Sequence, residues 1–200
     1  MNVTRRAQQW IGRSLSMEDA LPTQMPTYVN SVVYLFGALT LAALGMLIAT
    51  GVIIAIFGPG WWHVSRVGHF VNSLHFWSAQ TFFLGVLLHM IGKFFMAAWR
   101  GGRWPTWAVG MITLGIAVFS GLTGFILQAN WDSQWIAGQA KDAMNALGVG
   151  PIVNTMNTGQ MLTLHVAVLP LFVVCLVGIH LLIVRHEGPV RPIGSEERDS

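Results

Sequence analysis

The chain has 200 residues, 54% of them hydrophobic and only 10% charged. Soluble domains average about 25% charged residues, so an ordinary soluble domain is excluded. The formal net charge of +3 follows from a membrane-type distribution of basic residues, set out below, and does not imply a nucleic-acid partner.

Residues 1–27 form a polar, basic arm, in which Arg5–Leu15 sets Trp10, Ile11 and Leu15 among arginines and predicts a short interfacial helix. Four apolar stretches follow: Tyr28–Phe57, Val71–Ala98, Trp107–Ala129 and Met161–Val184. Each reaches the roughly 20 residues that a helix needs to cross a bilayer. The first is too long for a signal-peptide core and reads as a retained span. Between spans one and two runs a short aromatic loop, 58–69 (GPGWWHVSRVGH); between two and three, a basic loop, 99–106 (WRGGRWPT). The connection 130–160 is the longest, and apolar spacing over Trp135–Leu147 predicts a helix on the membrane surface. Gly148, Gly150 and Pro151 end it. The last span leads into a polar tail, 188–200, with Gly194–Ser200 expected to be disordered. The organisation is therefore a cytoplasmic arm (1–27), a four-helix membrane domain (28–187) and a C-terminal tail (188–200). Cys175, the single cysteine, lies inside span four and reads as a small packing residue.

With four spans, both termini and the 99–106 loop share one side. That side holds Arg5, Arg6, Arg13, Lys93, Arg100, Arg103, Arg185, Arg191 and Arg198, and the other holds only Arg66 and Lys141. The positive-inside rule then puts both termini in the cytoplasm of a bacterial-type inner membrane. Trp61, Trp62, Trp99, Trp104, Trp107, Trp131 and Trp135 cluster at span ends, as an aromatic belt does.

Four histidines lie inside the spans: His75 and His89 in the second, His165 and His180 in the fourth. A lone intramembrane histidine often only bonds a neighbouring helix, but four at matched spacing call for another reading. A spacing of 14 returns to within about 40° of the starting direction at 100° per residue, and 15 to within about 60°. Both histidines of each pair therefore project from one face. Spans two and four run the same way, so His75 and His165 share outer depth, and His89 and His180 share inner depth. No carboxylate or thiol stands at those depths to complete a tetrahedral metal site. A haem needs only two axial imidazoles and an apolar slot. Gly37 and Gly51 in span one are 14 apart, as are Gly110 and Gly124 in span three. Intramembrane glycines commonly serve close helix packing; two pairs at the histidine spacing suggest haem packing against bare backbone.

These residues carry a family resemblance. The chain resembles the N-terminal four-helix haem domain of cytochrome b from bc-type and b6f-type quinol-oxidising complexes, over about residues 20–193. It is closest to the split form, cytochrome b6, because the chain stops after span four, the fourth-span histidines are 15 apart, and Pro170 follows His165 by five in LHVAVLP. NSLHFWSAQ around His75, ATG ending span one, TGF at Gly124 and HLLIVRHEGPVRPI after His180 also match in place. The resemblance implies an all-α four-transmembrane-helix bundle binding two haems b. His75 and His165 would ligate the outer, low-potential haem, and His89 and His180 the inner, high-potential one. It also implies that Arg185 and His186 line an inner quinone site, with menaquinone or ubiquinone as substrate.

The chain departs from the family pattern at several places. Asn72 stands where an arginine usually precedes the first ligand, and another arginine is missing near Gln160 or Met161, leaving Arg66 and Lys93 as candidates to balance haem propionates. Gln128 replaces the proline of the turn that begins at Gly124, and the following NWDSQWIAGQ is rebuilt, so an altered outer quinol pocket is expected. Leu35 stands where cytochrome b6 has a cysteine, so no covalent haem c is expected. Asp132, His63 and His69 read as solvated or interfacial groups at the outer face, with Gln128 and Asn130 as polar lining for an outer cavity.

The function implied is a dihaem subunit carrying electrons across the membrane between quinol and quinone sites, part of a quinol–cytochrome c or similar oxidoreductase and not a complete enzyme alone. The resemblance implies a separate subunit IV-like protein, a Rieske iron–sulfur protein and a c-type cytochrome as partners, in a dimeric complex surrounded by membrane lipid. Two alternatives stand beside it. One is a dihaem anchor linking the quinone pool to a non-Rieske partner, such as a dehydrogenase or multihaem cytochrome. The other is a haem-free scaffold or transport bundle.

Overall fold

The computed structural model describes residues 32–58 and 60–190. The elements are α1 (Val32–Phe57), α2 (Trp61–Val64), α3 (Arg66–Phe95), α4 (Trp104–Ile126), α5 (Trp131–Ala146), α6 (Thr158–Thr163), a π turn (Leu164–Val168) and α7 (Leu169–Glu187). No strand occurs among the described residues. Four helical stretches are long and apolar enough to span a membrane: Val32–Phe57, Arg66–Phe95, Trp104–Ile126 and the continuous Thr158–Glu187. The interfacial helix expected at Arg5–Leu15 and the tail beyond Val190 lie outside the described residues.

The boundaries show local capping overriding hydropathy. The second span starts at Arg66, five residues before the apolar stretch, because Ser65 caps it by accepting from Gly68 N at 3.2 Å. Trp61 packs tightly over Gly68, and Trp62 is buried, so two thirds of the expected 58–69 loop is helical. Span four likewise begins early, at Thr158, where Asn157 accepts from Gln160 N at 3.0 Å. The surface helix forms over Trp131–Ala146. Asn130 caps it by accepting from Ser133 N at 2.9 Å, and left-handed Gly148 stands just beyond its end.

The spans assemble as two helix pairs, α1 against α3 and α4 against α7. Glycines bring the first pair close: a Cβ at Gly85 would meet Thr40 Oγ1 at 2.7 Å, and one at Gly92 would meet Val33 Cγ1 at 2.7 Å. Midway along the bundle each span gives one residue to a plug of Ala43, Phe82, Ala117 and Val173. The surface helix docks on one end through Ala137, which packs with Ile126, Leu127 and Met161. Its exposed Trp131 and Trp135 share the opposite face, as an interfacial helix requires.

Candidate functional site

The four histidines occupy two levels, one on each side of the plug. At the upper level, nearer α5, the rings of His75 and His165 face each other with centroids 6.2 Å apart and planes at 81°. His89 and His180 come within electrostatic reach of each other at the lower level. Each level thus takes one histidine from each helix pair. Fourteen residues of helix separate the levels by about 21 Å.

Each histidine rests on one of the four glycines singled out in the sequence. A Cβ at Gly51 would meet His75 Cε1 at 3.2 Å, one at Gly37 would meet His89 Nδ1 at 3.1 Å, and one at Gly110 would meet His180 Cε1 at 3.3 Å. At Gly124 it would press on the whole edge of His165, with Nδ1 and Nε2 both at 2.9 Å. Bare backbone is thus what each imidazole approaches, from the other helix of its own pair. The carbonyl four residues before each glycine then comes into reach: Leu47 for His75, Val33 for His89, Ser120 for His165 and Thr106 for His180. In a helix that carbonyl already accepts the glycine's own N–H. With no Cβ in the way, its second lone pair is open to an imidazole donor.

The two levels differ in how firmly the rings are held. His165 Nδ1 lies 2.9 Å from Ser120 O; a carbonyl can only accept, so Nδ1 carries the proton. Thr50 donates its hydroxyl to Met46 O at 2.7 Å, which leaves its oxygen to accept from His75 Nδ1 at 2.9 Å. Both upper histidines therefore keep the proton on Nδ1 and leave Nε2 bare, the tautomer that a metal requires. A threonine immediately before the glycine supports each upper ring, Thr50 before Gly51 and Thr123 before Gly124, the latter 3.3 Å from His165 Nδ1. At the lower level Phe36 and Val109 hold those places. There His89 Nδ1 and His180 Nδ1 are buried without a hydrogen bond of good geometry, so the Val33 and Thr106 carbonyls are at best weak partners.

The π turn explains the unequal spacing. Leu169 N–H bonds Leu164 O, five residues back, and Pro170 has no N–H with which to continue an α ladder. The wide turn takes up one residue. His165 and His180, 15 apart, are thereby aligned as His75 and His89 are at 14.

These residues fit haem b. Metal–imidazole bonds of about 2.0–2.1 Å, plus about 1.1 Å from nitrogen to ring centre on each side, call for centroids about 6.3 Å apart; the upper pair stands at 6.2 Å. Among the described residues no cluster of three or more His, Cys, Asp or Glu could hold a bare ion, so two imidazoles per level are the donor set, as an iron with four equatorial nitrogens of its own requires. Beside the lower level an apolar cleft of about 520 Å³ opens between α3 and α4, lined by Met90, Ile91, Phe94, Phe95, Trp107 and Met111.

The lower end is tied together by polar contacts that sequence reading did not reveal. Arg103 donates to Gly188 O at 2.8 Å and Glu187 O at 2.6 Å, stands 3.9 Å from the Glu187 carboxylate, and so caps α7. Thr106 donates to the same carboxylate at 2.7 Å. Tyr34 Oη donates to Val190 O at 3.3 Å and accepts from Val190 N at 3.0 Å, while Lys93 Nζ lies 3.4 Å from the centre of the Tyr34 ring. Lys93 acts electrostatically on both lower histidines.

The other candidates are dispersed. Arg185 and His186 are exposed on the last turn of α7 at the lower end. Arg66, His63, His69 and Asp132 are exposed at the upper end, and Cys175 is exposed on the apolar flank of α7. Asn130 serves as a helix cap and Gln128 pairs with Asn72. The threonines could have been found: a Thr-Gly step recurs at the same depth in spans one and three.

Known proteins resemble this chain in sequence and fold. Residues 80–200, which include His89, His165 and His180, match the family model described as cytochrome b(N-terminal)/b6/petB. Cytochrome b6 of Heliobacterium modesticaldum is 27% identical, over 96% of this chain and all of its own length. The cytochrome bc complex cytochrome b subunit of Chlorobaculum thiosulfatiphilum is 29% identical over 65% of this chain and 33% of its own. A solved hyperthermophilic respiratory Complex III chain superimposes with a TM-score of 0.73 at 22% identity, covering 96% of this chain and 56% of that one, which establishes the fold. With more than half of its length matched by the family model, the chain belongs to the cytochrome b N-terminal/b6 family of integral membrane proteins.

Proposed function

We propose that this chain is a dihaem electron-transfer subunit, with one haem b between His75 and His165 and a second between His89 and His180. The observation that supports it most is the upper pair: two imidazoles from opposite helix pairs, their Nδ1 protons engaged and their ring centres 6.2 Å apart, the separation that ligation of one iron between them calls for. Bound haem supplies a one-electron iron couple at each level. The chain's residues hold the imidazoles on glycine-bared backbone, fix the upper tautomers and keep both levels in apolar surroundings. The plug of Ala43, Phe82, Ala117 and Val173 excludes water between the levels.

The positive-inside distribution sets the lower level toward the cytoplasm, with both termini there. Arg185 and His186 then stand exposed at the cytoplasmic face, where a cation and an imidazole able to carry a proton suit proton-coupled reduction of a menaquinone or ubiquinone. The chain works as one part of a quinol-oxidising complex. A subunit IV-like protein, a Rieske protein and a c-type cytochrome are its partners, in a dimeric assembly. With Leu35 in place of the cysteine that a covalent haem c needs, none is expected on this chain.

The test is haem stoichiometry in the purified full chain. Reduced-minus-oxidised spectra with a haem assay should give two haems b per chain. His75→Ala and His89→Ala should each remove a different one. A chain without a b-type α-band, or one that keeps both haems in His75→Ala, overturns the reading.

A further inference from the structure

Two residues that depart from the family pattern meet in the folded chain. Asn72 Nδ2 donates to Gln128 Oε1 at 3.1 Å, and Gln128 Nε2 donates to Asn72 Oδ1 at 3.2 Å. The result is a closed, reciprocal amide pair with both side chains half-buried. Asn72 lies on α3 three residues before His75; Gln128 leaves α4 four residues after Gly124, the glycine beneath His165. The pair therefore joins the two helix pairs one turn above the upper histidines.

The backbone beside it is held in an unfavoured conformation. Ala129 has φ +55°, a left-handed geometry that a residue with a Cβ rarely adopts. Such a turn persists where its surroundings over-determine it. Here Gln128 is held by Asn72 on one side, and on the other Gln134 Nε2 donates to Ala129 O at 3.2 Å while Asn130 begins the surface helix.

The electrostatic setting of the two levels is unequal. Lys93 acts on both lower histidines and Glu187 on His180, while no Lys, Arg, Asp or Glu among the described residues acts on His75 or His165. At the upper mouth the bridge between the helix pairs is neutral.

We propose that Asn72 and Gln128 are positioning residues of the upper haem site: an uncharged bridge that sets the spacing of the two helix pairs at its mouth and, by its neutrality, the redox potential of that haem. This rests on the dihaem reading above. A fixed cation close to the iron would favour the reduced form, and a fixed anion the oxidised one.

The experiment titrates both haems of the full chain in membranes, by absorbance against potential. Asn72→Lys should raise the upper haem's midpoint and Asn72→Asp lower it, with the lower haem unmoved. The exchange Asn72→Gln with Gln128→Asn keeps the combined reach of the pair and should keep both haems and both midpoints. Asn72→Leu, which cannot bridge, should lose upper haem selectively. If the Asn72 charge variants fail to assemble, Gln128→Lys and Gln128→Glu make the same comparison from the other member. The proposal is overturned if opposite charges move the upper midpoint equally or not at all, or if the exchange variant loses haem as Asn72→Leu does. A wild-type chain without b-haem would instead refute the dihaem reading itself.

Discussion

Adding one methyl group at a histidine-bearing glycine should cost haem in proportion to how closely the imidazole approaches, so Gly124 and Gly110 make a matched comparison. At Gly124 the new Cβ would stand 2.9 Å from both Nδ1 and Nε2 of His165. Ordinary carbon contacts lie at about 3.5–4.0 Å, and Cε1 lies closer still than the two nitrogens, so the ring must retreat by well over about 0.6 Å, against the 2.9 Å hydrogen bond to Ser120 O. At Gly110 the nearest His180 atoms are 3.3 and 3.7 Å away, and a shift of a few tenths of an ångström, about 0.2–0.3 Å, restores normal contact. Overpacking of this kind costs about 1–3 kcal/mol. At 1.4 kcal/mol per tenfold, Gly124→Ala should weaken retention of the upper haem by roughly 5- to 150-fold, and Gly110→Ala should cost the lower haem less than about fivefold. The gain in helix propensity from glycine to alanine, about 1 kcal/mol, is common to both and cancels in the comparison. Haem per chain after detergent washing, with the two α-bands resolved by redox titration, reads the outcome. Greater loss from Gly110→Ala than from Gly124→Ala, or equal loss of both haems in either variant, would refute the reasoning.

Other outcomes follow from the same geometry. Thr50→Val removes the acceptor for His75 Nδ1; a bond worth about 1 kcal/mol, felt more by the oxidised iron because it increases ligand basicity, corresponds to a rise of up to about 40 mV in the upper midpoint, and a fall would contradict it. Lys93→Gln removes the cation acting on both lower histidines, so the lower midpoint should drop while the upper one stays, as redox titration would show. Arg103→Met uncaps α7 and leaves the Glu187 carboxylate to Thr106 alone; it should lower the thermal midpoint of the purified chain, with a loss of about 1–3 kcal/mol. Unchanged thermal stability would remove Arg103 from the list of helix-end ties.

The spans and the pairing of histidines by depth were legible in the sequence because each rests on a periodicity: about 20 apolar residues for a span, 14 or 15 residues for a shared helix face. The glycines were legible by position, and their partners emerged only in three dimensions. The sequence suggested haem against bare backbone, and the structure puts an imidazole on each glycine, with His165 reaching past Gly124 to the Ser120 carbonyl one turn back. The start of α3 at Arg66 was hidden because Ser65 and the packing of Trp61 on Gly68 extend a helix beyond its apolar run. Asn72 and Gln128 were visible singly as departures. Their pairing across 56 positions has no one-dimensional signature, and the same holds for Tyr34 with Val190.

The division into two helix pairs also bears on how the protein is made. α1 and α3 leave the ribosome first and can close against each other alone, since the Gly51–His75 and Gly37–His89 seats lie entirely within that pair. Every level nevertheless takes its second imidazole from α7 or the π turn before it, so a chain interrupted after α3 carries two seated histidines and no complete ligand set. On the dihaem reading proposed above, capture of either cofactor would have to wait until the last span has arrived in the membrane.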